Sequence, residues 1–167
     1  MQTITRITSV GLTLFGCVGC DQVSKSVVRL HLALGESHSY MHDAFRLVHA
    51  ENSGAFLSLG ESLPEHIRTV AFTWIVGLLS VAALLTALLA PRLGRWRVVA
   101  LALIAAGGFG NWIDRITNDG HVTDFLNIGV GSLRTGIFNV ADMALMVGVV
   151  LIVVQQAAAS NNRWRVP

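Results

Sequence analysis

Residues Val70 to Ala90 form an unbroken run of twenty-one residues without a charge. At about 1.5 Å of rise per helical residue, such a run crosses a hydrocarbon core of about 30 Å. A water-soluble core has little room for a helix apolar on every side. The rest of the 167-residue chain agrees: 53% of it is hydrophobic, 13% is charged and mean hydropathy is +0.59. Three further apolar runs end in or contain polar residues: Ile7 to Cys20, followed by Asp21 and Lys25; Val98 to Ile113, followed by Asp114 and Arg115; and Ile137 to Val154, with Asn139 and Asp142 inside it. The expected fold is an all-α membrane protein of one domain over 1–167, with four transmembrane helices near 7–28, 70–90, 98–115 and 137–155.

Basic residues orient these spans. Arg6, then Arg92, Arg95 and Arg97, then Arg163 and Arg165 lie in three flanks free of Asp and Glu, which the positive-inside rule assigns to the cytoplasm. The two remaining connections carry Glu36, Asp43, Glu51, Glu61, Glu65, Asp119 and Asp124 and are expected outside. Both termini would then be cytoplasmic. Between His38 and Gly60, the run Phe45-Arg46-Leu47-Val48-His49 with Gly54 and Gly60 predicts short strands and turns, a small extracytoplasmic β-rich element. Glu61 to Arg68, with Pro64 near its start, predicts a short interfacial helix.

Several classes of function find little support. A net charge of +2 without a basic patch interleaved with aromatics does not suit nucleic acid. Cys17 and Cys20, the only cysteines, lie in an apolar run and read as small buried side chains. Arg6 with Leu14-Phe15-Gly16-Cys17 loosely resembles a lipoprotein signal, but three more spans follow. His121 with Asp124 and Asp142 is an incomplete zinc signature, so neither metal nor cofactor is expected. A proton-coupled carrier would want its acids at the bilayer midplane, usually within repeated halves, and no repeat is evident.

Carboxylates are costly in hydrocarbon, about 2.5–3.5 kcal/mol each on insertion scales, so Asp21, Asp114, Asp124 and Asp142 each need an account. Asp142 falls about one and a half turns into the fourth span, with Asn139 three positions earlier on nearly the same face. The spacing also allows Asn139 simply to cap that helix. Asp124 lies in the β-prone stretch His121-Val122-Thr123-Asp124-Phe125, and the eighteen residues to Asp142 let the chain turn and bring the carboxylates together. Two close carboxylates share a proton: the ionised one can take a proton from water while the neutral one polarises a carbonyl. Asp21 and Lys25, at i and i+4, share one face and can form a structural ion pair. Ser24 and Lys25 point about 100° apart and do not make a serine–lysine site. Gly107, Gly108 and Gly110 read as close helix packing, and Asp114 with Arg115 as an anchor at a helix end.

Five segments, Asp21-Gln22-Val23-Ser24-Lys25, Asn52-Ser53-Gly54-Ala55-Phe56, Gly107-Gly108-Phe109-Gly110-Asn111-Trp112-Ile113-Asp114-Arg115, Val122-Thr123-Asp124-Phe125 and Phe138-Asn139-Val140-Ala141-Asp142, together resemble the ordered motifs of lipoprotein signal peptidase (signal peptidase II, aspartyl peptidase family A8). The resemblance covers almost the whole chain. It implies a four-helix protein of the bacterial inner membrane with an extracytoplasmic β-cradle, which removes signal peptides from prolipoproteins by cutting before the diacylglyceryl-modified cysteine. It implies Asp124 and Asp142 as the catalytic pair, with Asp21, Lys25, Asn52, Gly54, Asn111, Arg115, Asn139 and Ala141 lining or bracing the site. The implied partners are such prolipoproteins, membrane lipids and cyclic peptide inhibitors. The chain departs from the family at Ala55-Phe56-Leu57, where a second alanine more often precedes the phenylalanine. It departs again over 127–136, where Asn127 replaces a common acidic residue and tryptophans are missing. These departures keep a second expectation open: a divergent paralogue that binds lipopeptide or inhibitor with weak or no turnover.

Overall fold

The computed structural model describes residues 3–54 and 62–163. The sequence positions Ala55, Phe56, Leu57, Gly60 and Glu61 lie outside the described residues. Four helices are long and apolar enough to cross a membrane: Thr3–His31, Glu65–Leu89, Arg95–Thr117 and Val140–Ser160. All four expected spans are present, each with shifted ends.

The first is a single helix, α1 (Thr3–His31). Three hydroxyls along its apolar run are satisfied within the helix: Thr8, Ser9 and Thr13 donate to the carbonyls of Ile4, Thr5 and Ser9. Such back-bonding lets a hydroxyl sit in an apolar medium with no outside partner. After the cradle strands β1 (Ser37–Tyr40) and β2 (Phe45–Asn52), the second span begins with α2 (Glu65–Arg68), entered from Pro64. It passes through a π-helical run, Thr69–Ile75, into α3 (Val76–Leu89). The expected interfacial helix is thus the first turn of span two rather than a separate element. Ala90, extended ahead of Pro91, ends α3, because a proline disfavours helical backbone in the residue before it.

Helix α4 (Arg95–Thr117) is central and packs on α5, α3 and α1. It can occupy that place because its buried face is Ala100, Ala102, Ala105, Ala106, Gly107, Gly108 and Gly110. Small residues let helix backbones approach where lipid offers no hydrophobic drive to association. A Cβ on Gly107 would overlap the Ala141 carbonyl oxygen, and one on Gly108 the Ser80 hydroxyl. Large apolar side chains such as Leu12, Phe15, Leu78, Leu79, Val150 and Val153 instead face outward.

Beyond α4 come β3 (Val122–Val130), β4 (Leu133–Arg134) and then α5 (Val140–Arg163). The strands form one antiparallel sheet in the order β1-β2-β3-β4. It sits at the end of the bundle where α1 and α4 finish and the second span and α5 begin, so the loop ahead of α4 lies at the opposite end. Phe45 pairs with Ile128 and Asn52 with Val122, with a bulge between Leu47 and Ala50. The β1–β2 turn holds Met41, His42 and Asp43 at positive φ. Asp43 ties it down, accepting Ser39 at 2.7 Å and a two-pronged bond from Arg46 at 2.6 Å, while Arg134 reaches it from β4. A small core of Val28, Leu32 and Phe125, with Leu47, Leu126 and Val140 against it, joins sheet to bundle.

Candidate active site

Asp124 is brought to the bundle by strand pairing and Asp142 by the start of a helix. In β3, Asp124 opposes Ala50, and Asn52, which opposes Val122, is its diagonal neighbour on the same face. Asn52 donates from Nδ2 to Asp124 Oδ2 at 2.9 Å. Phe138 forms an antiparallel bridge with Leu126, exchanging bonds of 2.8 and 2.9 Å, and so delivers the next residue, Asn139, alongside β3.

Asn139 precedes α5 and is not part of it, a correction to the helix expected from Ile137. Its Oδ1 accepts the Asp142 N–H at 2.9 Å, while Asp142 Oδ2 accepts the Asn139 N–H at 3.2 Å. This reciprocal cap puts Asp142 in the first helical turn, where the helix dipole favours an anion. Capping and site-building, set as alternatives by the sequence, are combined here: Asn139 also donates from Nδ2 to Asp124 Oδ1 at 2.6 Å. The fourth carboxylate oxygen, Asp142 Oδ1, accepts Asn111 Nδ2 at 2.8 Å. Every oxygen of the pair therefore takes an N–H from an asparagine. Both carboxyls are buried, at 3% and 8% exposure. Burial, and then the charge of Asp142, push the Asp124 carboxyl up to about 7, against the opposing pull of Asn52, Asn139 and Lys25.

Next to the pair lies a deeply buried charged cluster. Lys25 contacts Asp21 at 2.8 Å, Asp114 at 3.1 Å and Asn111 Oδ1 at 3.0 Å. Asp21 also accepts the Ala141 N–H at 2.8 Å, fastening α1 to the first turn of α5. Gly110 permits that fit, since a Cβ there would stand 2.7 Å from Asp21 Oδ2. Asp114 accepts the Thr123 N–H at 3.0 Å, fastening α4 to β3 beside Asp124. Asp114 and Arg115 are therefore buried braces and not anchors in interfacial water. Arg115 donates to the Gly54 carbonyl at 2.7 Å, and Gly54 donates its N–H to Asn52 Oδ1 at 2.9 Å. Arg115 and Ser53 also line a cavity of about 660 Å³ with Thr69, Thr73 and Trp74 of span two.

Every site residue expected from the sequence falls in this one connected network. Two contributors were missed: Gln22, whose amide bridges Asp21, Asp114 and the Gly110 carbonyl, and Arg29, which donates to the Thr123 hydroxyl at 2.9 Å. Gln22 is the one side-chain amide of α1 and directly follows Asp21 at the end of its apolar run, which is a usable signal. Arg29 reads from the sequence as an ordinary basic residue at a helix end and carries none.

Fold and site define an integral membrane protein with a buried two-carboxylate centre where a four-helix bundle meets a small sheet. Residues 13–158 match the family described as signal peptidase (SPase) II, peptidase family A8. The lipoprotein signal peptidase of Streptococcus pyogenes serotype M6 is 36% identical over 143 residues, covering 86% of this chain and 89% of its own length. That of Borrelia turicatae is 31% identical, covering 85% of each chain. A solved bacterial membrane enzyme superposes with a TM-score of 0.81 at 26% identity, over 96% of this chain and 93% of its own. The chain belongs to the signal peptidase II family.

Proposed function

We propose that the protein removes signal peptides from prolipoproteins by aspartyl proteolysis, with Asp124 and Asp142 as the reacting pair, at the extracytoplasmic face of a bacterial inner membrane. The carrying observation is the buried pair whose four oxygens each accept an N–H. The pair holds one proton near neutrality. The ionised carboxyl takes a proton from the attacking water, and the protonated one donates to the scissile carbonyl oxygen as the tetrahedral carbon forms. The proton taken from water then passes to the leaving nitrogen as the C–N bond breaks, and a hydroxyl of the tetrahedral carbon returns its proton to the pair as the new carboxyl group forms. The two carboxyls titrate as a unit, so acid and base roles belong to the pair.

The substrate class follows from family and setting. A site at the membrane boundary suits a peptide whose signal helix and diacylglyceryl chains stay in the bilayer, cut just before the lipidated cysteine. The arginine-bearing flanks support an orientation with both termini cytoplasmic and the sheet outside. A paralogue that only binds lipopeptide or inhibitor would have no need of a charge-coupled carboxyl pair, and nothing in the site favours it.

Purified protein is incubated with a diacylglyceryl-modified prolipoprotein and with its unlipidated form, beside Asp124→Asn and Asp142→Asn. Cleavage of the lipidated form alone is expected, falling by about 10³-fold or more in each variant. Full activity in either variant removes the pair from the mechanism.

A further inference from the structure

An asparagine amide can face either way unless a neighbour that only donates, or only accepts, fixes it. Three asparagines hold the carboxyl pair, and each must turn its NH₂ towards a carboxylate. Asn52 is fixed by a backbone donor, because its Oδ1 takes the Gly54 N–H. Asn139 is fixed likewise, because its Oδ1 takes the Asp142 N–H. On Asn111 Oδ1 the donors are side chains, Asn139 Nδ2 at 3.0 Å and the Lys25 ammonium at 3.0 Å. An ammonium has three donors and no acceptor, so it admits only the Asn111 oxygen.

We propose that Lys25 is a positioning residue whose ammonium locks the Asn111 amide in the one orientation that donates to Asp142. The lock runs across three helices, from Lys25 in α1 through Asn111 in α4 to Asp142 in α5. The ammonium is itself held rigidly. Asp21 and Asp114 take its other contacts, and each is fastened by a backbone N–H, from Ala141 and Thr123 respectively. Without the ammonium, Asn111 Oδ1 keeps only the N–H of Asn139, which has a second acceptor in the Thr123 carbonyl at 3.5 Å, so Asn111 can turn its carbonyl to Asp142. Only a protonated carboxyl can satisfy that carbonyl, so the proton is held on Asp142 Oδ1, directed away from the reacting centre. The inference rests on the reading of Asp124 and Asp142 as the reacting pair.

Lys25→Met and Lys25→Gln are compared in an Asp21→Asn background. Both changes remove the ammonium, and in this background each double variant carries the wild-type cluster charge, so Met and Gln are compared at equal charge. They differ in that glutamine keeps an N–H for Asn111. Relative to the Asp21→Asn parent, Lys25→Met should lose about 100-fold in kcat with KM little changed, as misoriented groups do. Lys25→Gln should recover at least about tenfold of that loss. In an added Asn111→Ala background the two should turn over at the same rate, since their difference acts through Asn111. Equal kcat for Met and Gln with Asn111 present, or parental kcat in Lys25→Met, overturns the lock. If Lys25→Met does not fold, Lys25→Asn, whose amide is two atoms shorter than lysine's reach, replaces it against Lys25→Gln, and equal rates overturn the lock in the same way. Asp124→Asn and Asp142→Asn run alongside: activity in either removes the reacting pair, whereas silence in both with equal Met and Gln rates removes only the lock.

Discussion

Asn139 serves two elements at once, capping α5 through Oδ1 and holding Asp124 through Nδ2. The two duties separate by substitution. Serine keeps a cap oxygen but has no amide donor, whereas alanine has neither. Asn139→Ser should be more stable than Asn139→Ala by about 1 kcal/mol in detergent unfolding. Cleavage should fall alike in both; a serine variant of wild-type activity would show that the bond to Asp124 is dispensable. Asp124 also sets a pH dependence. Its folded carboxyl, pushed up to about 7, binds its proton more tightly than in the unfolded chain. This contribution to stability is fully present below about pH 4 and is lost as pH rises through about 7. Unfolding midpoints should therefore decline over that window in the wild type and decline less in Asp124→Asn. Turnover should fall as the shared proton leaves above about pH 7, and a rate unchanged to pH 9 would contradict a one-proton pair.

At the scale of elements, the site depends on how closely α4 approaches α5. The Gly107 position lies against the Ala141 carbonyl, one residue before Asp142, and a Cβ there would also meet the Leu145 backbone N–H at 2.9 Å. Backbone cannot swing aside as a side chain can, so Gly107→Ala must part the helices. The expected cost is about 1–3 kcal/mol, with activity falling alongside as Asp142 moves from Asn111. Gly11 in α1 has nothing within 4 Å of its hypothetical Cβ, so Gly11→Ala should leave both properties unharmed. Thermal unfolding with cleavage assays on the two variants checks the contrast; equal behaviour would mean that the helices are free to separate.

The whole molecule is polarised. Strands and carboxyl pair occupy one end of the bundle, and the connection from α3 to α4 the other, so orientation decides which compartment the site serves. The proposed orientation, which the positive-inside rule supports through the arginine flanks, has the sheet outside. In a background carrying Cys17→Ala and Cys20→Ala, Leu133→Cys on the exposed β4 edge should react with a membrane-impermeant thiol reagent added to intact cells, whereas Arg92→Cys should need permeabilised membranes. The reverse pattern would invert the topology and put the site in the cytoplasm.

Much of this was legible in the chain because membrane energetics are unforgiving. An uncharged run like Val70 to Ala90 has few alternatives to a span, and an acid beside such runs needs a partner, so four helices and the importance of Asp21, Asp124 and Asp142 followed from residue type and position. Local signals also pointed to strands within 38–60 and at 121–125 but not to β4, and the start of α5 was placed three residues early, because a cap depends on hydrogen bonds that hydropathy does not register. Tertiary structure alone decided the connections among these residues: that Asn139 caps and bridges together, that Asp114 turns inward, and that Gln22 and Arg29 join the cluster. Hydropathy and periodicity depend on each residue and its near neighbours along the chain. A buried polar network depends on which donors and acceptors meet from α1, α4, β3 and α5, segments as much as 120 residues apart, as for Asp21 and Ala141.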